Sequence, residues 1–173
     1  MDSLRLRNLV GYLVILVLPA VTLAATQPGS GGVPSTRESN LSKEAGGLLN
    51  QMHMNAYRVE NSADHLASYF SEPELIAWET DSGVLYRLSH RDDDMDRILS
   101  RLQSMQRMLP PDQQAEIKKI APAVVELTDC TQAAIQFLNL HQLNLFLPQN
   151  EGYSRDIYNE ASRVVAATAN AGQ

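Results

Sequence analysis

Cysteine is almost missing from this chain. Cys130 is alone among 173 residues, so no intramolecular disulfide can form; the thiol is either buried or available for a bridge to another chain. An excess of basic residues is missing too. The formal net charge is −6, and a mildly acidic domain has no basic patch to neutralise the phosphates of nucleic acid or an anionic membrane. After Ala25 no apolar stretch approaches the ~20 residues that a spanning helix needs.

The motifs of common chemistries are also lacking. Haem attachment through Cys-x-x-Cys-His is excluded by the solitary cysteine. Di-iron bundles use Glu-x-x-His on facing helices, and none of His53, His65, His90 or His141 has a Glu three residues before it. There is no Gly-rich phosphate loop, nucleophile elbow or zinc-spaced Cys/His cluster. Met52-His53-Met54 offers soft donors for copper, but consecutive helical residues point ~100° apart and cannot converge on one ion. No metal and no cofactor is expected.

What is present begins with an address. Arg5 and Arg7 form a positive n-region, Leu9 to Leu18 an apolar h-region, and Pro19 and the small residues of Thr22-Leu23-Ala24-Ala25 a cleavage region. Residues 1–24 therefore read as a secretory signal peptide. The expected location is secreted or periplasmic, with anchoring by an uncleaved signal as the alternative. Cleavage would remove Arg5, Arg7 and Asp2 and take the net charge from −6 to −7. Residues 25–40, rich in Pro, Gly and Ser, read as a flexible linker.

Residues 41–171 read as an all-α domain. Ala45, Leu49, Met52, Ala56, Val59, Ala63, Leu66 and Phe70 follow a strict 4-3-4-3 spacing, which forms one apolar stripe on a helix. The spacing predicts helix one over 41–70. A capping box at Ser71–Glu74 then starts helix two, which reaches Leu109 with a weak point at Gly83. Helix three follows Pro110-Pro111 with a kink at Pro122, and helix four begins near Asn150 or Ser154. Short connections between long helices force antiparallel neighbours, so the expected fold is an up-down-up-down four-helix bundle.

Two places are candidates for function. Asp92 falls on the stripe of helix two, and counting along the helices sets it level with His53 and Thr128. A buried polar layer of His53, Asp92 and Thr128 is expected to set register, and a His53/Asp92 acid/base pair is the weaker, enzymatic alternative. The aromatic residues gather at one end of the bundle. Trp78, Phe70, Phe137, His141 and Phe146 there could line a site for an apolar or aromatic ligand. The same end is expected to be closed by a hydrophobic plug, Leu143–Leu147 leaving the helix, or to meet a partner. These features predict a non-enzymatic interaction or scaffolding module, with a protein partner or self-association. Ligand binding or sensing is the alternative.

Overall fold

The structure, a computed structural model, describes residues 36–71, 77–145 and 147–169. The signal peptide, most of the linker, the Pro73-Glu74 part of the capping box, Phe146 and the last four residues lie outside the described residues. Four helices follow in chain order: α1 (Thr36–Ser71), α2 (Trp78–Met105), α3 (Pro111–Leu140) and α4 (Pro148–Thr168). One turn of 3-10 helix, Gln106–Met108, tightens the end of α2. Among the described residues there is no strand, and no described helix is long and apolar enough to cross a membrane.

The helices start where backbone chemistry favours it. Pro111 and Pro148 occupy first-turn positions, where a missing N–H costs nothing. Glu79 and Asp81 in the first turn of α2 complement the positive end of the helix dipole. Two boundaries differ from the sequence expectation, and one left open is settled. α1 begins at Thr36, so the last five residues of the expected linker are helical, with Glu38 in the first turn and Leu41 packing against the core. Gly83 does not divide α2. α3 runs through Pro122 and ends at Leu140, well before Pro148. Pro122 is exposed, so water can reach the Lys118 carbonyl that loses its helical donor.

α1 packs on α2 and α4, and α3 packs on the same two, so sequence neighbours are also spatial neighbours. The cross-helix contacts descend in opposite senses, as antiparallel packing requires. Ser89 pairs with Gln132 and Asp96 with Thr128 across α2 and α3. His53 pairs with Thr168 and Glu60 with Ser162 across α1 and α4. Every stripe turns inward. Leu49, Met52, Leu66, Leu88, Met95, Leu102, Ile117, Ile120, Leu127, Leu138 and Ile157 are all fully buried, each stabilising the fold by ~1.5–3 kcal/mol relative to exposure.

The helices differ in length: α1 has 36 residues and α4 has 21. Thr168, the last residue of α4, stands beside His53, which lies near the middle of α1. Toward the start of α1 the diagonal helices approach directly, and the Gln113 amide of α3 donates to the Ser42 carbonyl of α1 at 3.0 Å. The bundle is therefore four-helical at the α3–α4 turn and three-helical, among the described residues, at the α2–α3 turn.

Candidate functional site: a carboxylate buried in the α2–α3 seam

The buried face of α2 reads Asp81, Leu85, Leu88, Asp92, Met95, Leu99, Leu102. Two carboxylates thus sit at positions that heptad packing reserves for apolar side chains. Asp92 is 1% exposed, and neither of its carboxylate oxygens has a hydrogen-bond partner. Thr131 of α3 faces it, also fully buried, with its hydroxyl outside hydrogen-bond geometry. Burial pushes the Asp92 carboxyl up to about 7; the nearby Thr131 hydroxyl lowers it in part, and the charges of Asp96 and Asp93 raise it further. Asp96, one turn on and half-buried, is raised mainly by burial as well. Its Oδ2 lies 3.5 Å from the Thr128 hydroxyl, which also donates to the Val124 carbonyl at 3.1 Å.

Asp81 repeats the arrangement near the start of α2. It is fully buried with both carboxylate oxygens unpartnered, and burial pushes its carboxyl up to about 6, against a smaller lowering from the Ala77 backbone. Sequence reasoning missed Asp81, although it lies four residues before Leu85 and continues the 4-3 rhythm backward. Asn150 and Ser154 were legible in the same way, at four- and three-residue steps before Ile157. Both are buried. The Asn150 amide donates to the Leu145 carbonyl at 2.9 Å, and the Ser154 hydroxyl donates to the Asn150 carbonyl at 3.0 Å.

The expected layer of His53, Asp92 and Thr128 does not assemble. His53 Nδ1 lies 3.0 Å from Thr168 Oγ1, so the histidine serves the α1–α4 contact. Asp92 faces Thr131 rather than Thr128, and Thr128 serves Asp96. The His53/Asp92 acid/base pair is therefore not formed. The reason is register: a heptad stripe states which face is inward but is unchanged when one helix slides by a heptad along another.

At the aromatic end, Phe137 stacks on His141 at 4.1 Å and tilts against Tyr153 at 5.5 Å. His141 Nδ1 is 2.8 Å from the Phe137 carbonyl, closing the last turn of α3. Phe70 and Trp78 are half-buried against the core, and the Trp78 indole N–H is buried without an acceptor. The expected plug fails at two positions. Leu140 is 81% exposed and Leu143 is fully exposed, because α3 ends at Leu140 and the turn that follows carries Leu143 into solvent. Tyr86 of α2, also exposed, has its hydroxyl 3.4 Å from the amide nitrogen of Asn139, the residue before Leu140.

Cys130 is partly buried on α3. Burial raises its thiol pKa first, and the carboxylates of Asp156, Glu160, Asp129 and Glu126 raise it further. Among the described residues no group of three or more His, Cys, Asp or Glu side chains is placed to hold a metal ion. A groove of about 520 Å³ opens at the three-helix end, between Ser39, Ser42 and Lys43 of α1 and Met108, Leu109 and Pro110. Comparison of the chain with protein-family models, with curated proteins and with solved structures gives no match.

Proposed function

We propose that this chain is an exported helical-bundle interaction module that binds a protein partner through its α3–α4 turn. One observation carries the reading: Leu140 and Leu143 stand in solvent at the α3–α4 turn while the four helical stripes are consumed by the bundle's own core. Burying a leucine of this exposure yields ~1.5–3 kcal/mol. Two exposed leucines at one turn offer apolar area that a protein partner can bury. Export rests on the n-region, h-region and small-residue pattern of residues 1–25, and a periplasmic or secreted location follows from it.

The test places a photo-crosslinking amino acid at Leu143, at Leu140 and, as a control, at Val125, which is exposed on the outer side of α3. Cells expressing the full chain are irradiated and fractionated. The reading expects one adduct of the same mass from positions 140 and 143, none from 125, and recovery in the envelope or medium with a mature N-terminus near residue 25. Equal adducts at all three positions, or none, overturns the interaction surface. Recovery of the intact chain in the cytosol overturns export.

A further inference from the structure

We propose that Asp92 makes the α2–α3 seam a proton-operated joint, closed while its carboxyl is neutral and loosened when the proton leaves for solvent.

The surroundings of the Asp92 carboxyl favour its neutral form. Both oxygens are buried and neither receives a hydrogen bond. An ionised carboxylate in such a place costs several kcal/mol of desolvation unless donors or a cation offset it, and the Thr131 hydroxyl beside it offsets burial only in part. On its own helix, the charges that act on it are Asp93 and Asp96, both acidic. α3 presents the Thr131 hydroxyl to it and, one turn away, Thr128 and the carboxylate of Asp129, which act on Asp96. α1, the other helix packed on α2, turns the apolar Ala56, Val59 and Ala63 into the core. Two of its titratable groups are engaged on α4, His53 with Thr168 and Glu60 with Ser162, and Glu44 pairs with Arg101 farther along α2. A neutral carboxyl is the state this seam accommodates.

Two features make α2 against α3 the part that yields. Among the described residues the polar ties across the seam are few and long or exposed: Ser89 to Gln132 at 3.0 Å in solvent, Asn139 to Tyr86 at 3.4 Å in solvent, and the 3.5 Å approach of Thr128 to Asp96. The ionised Asp92 would also find the like charges of Asp93 and Asp96 within one turn on the same helix. Separation of the helices admits water to the carboxylates of Asp92 and Asp96, Asp93 being exposed already, which relieves both desolvation and repulsion.

The sign follows from linkage. The closed-state carboxyl titrates at about 7 and the opened state near the ordinary aspartate value of ~3.9. Opening is therefore favoured progressively as pH rises between these values, by up to about tenfold per pH unit, and levels off above neutrality.

The experiment is amide hydrogen exchange of the full chain from pH 5 to pH 8.5, corrected for the intrinsic rate and referenced to α1. The proposal expects protection of residues 88–99 of α2 to fall about tenfold per unit from pH 5 to pH 6.5 and to plateau above about pH 7. Asp92→Asn, which keeps the side chain neutral, removes this slope. Protection in the native chain that is independent of pH overturns the proposal, as does a slope that survives Asp92→Asn. Should that variant fail to fold, carboxyl carbon-13 NMR of the native protein decides. An Asp92 resonance titrating near 7 supports the joint, and one titrating below 5 overturns it. Restoration of protection at pH 8 by millimolar calcium also overturns it, because the carboxylate would then be a cation ligand and not a proton switch.

Discussion

His53 of α1 and Thr168 of α4 meet at 3.0 Å across 115 residues of chain. The Thr168 hydroxyl has one proton, and its closest acceptor is the Val164 carbonyl at 2.8 Å. The threonine oxygen therefore accepts from His53, which fixes the histidine proton on Nδ1. Thr168→Val removes the acceptor while keeping the shape, and leaves a half-buried imidazole N–H unpaired. The expected loss is ~1–2 kcal/mol in urea unfolding. The nitrogen-15 shifts of His53 should report the Nδ1–H tautomer in the native chain and a mixture of tautomers in the variant.

Asp92→Leu should stabilise the protein at pH 7.5, by ~1–4 kcal/mol, because an unpartnered buried acid gives way to the apolar side chain that its heptad position calls for. The gain is pH-dependent. The folded-state value of about 7 lies above the unfolded one, so the carboxyl's contribution is fully present below pH ~4 and lost as pH rises through 7. The urea midpoint of the variant should therefore exceed the native one by an amount that grows from pH 4 to pH 7. A gap of constant size would show that the acid is not buried in the folded state. Thr131→Val, which removes the hydroxyl that partly offsets burial of the carboxyl, should push the Asp92 titration further up, read by carboxyl carbon-13 NMR.

Gly83→Ala should raise stability by ~0.5–1 kcal/mol. The residue is inside α2, and an added Cβ would meet only the flexible tip of Arg87, at 3.5 Å, an ordinary contact. Thermal unfolding followed by circular dichroism reads the change. A lower midpoint would mean that the helix is interrupted at this glycine.

Cys130 should be a poor nucleophile. Its thiol pKa is raised by burial and by four surrounding carboxylates, so little thiolate is present at neutral pH. Alkylation by iodoacetamide at pH 7.5 should be at least ~10-fold slower in the folded protein than in urea. Equal rates would return the residue to the list of reactive thiols.

These expectations show which part of the molecule the sequence carries. The eight seam positions from Ala45 to Phe70 point inward, seven fully and Phe70 in part, because a 4-3 rhythm on a helix has only one face to occupy. Asp92 was legible as a buried residue by the same reasoning. Its partner was not. His53 and Asp92 belong to faces that both turn inward, yet their relative height and their partners depend on how far each helix slides along its neighbours, which a periodic stripe leaves open. The ends of helices were equally hard to read. Leu140 and Leu143 look like core by composition and are exposed, because the buried Asn150 amide and its bond to the Leu145 carbonyl shape the α3–α4 turn.

The unequal helices have a mechanical consequence. Where α4 lies alongside, each helix has two flanking neighbours; past Thr168, among the described residues, the start of α1 leans on α2 and, through Gln113, on the first turn of α3. Fewer buried contacts per turn mean a lower free energy of local opening. Under a pulling force or in mild denaturant, the bundle should unzip from the α2–α3 turn toward the Leu140 corner. The groove beside Pro110 would be lost first, and the exposed leucine pair would keep its geometry until the last cooperative unit gave way.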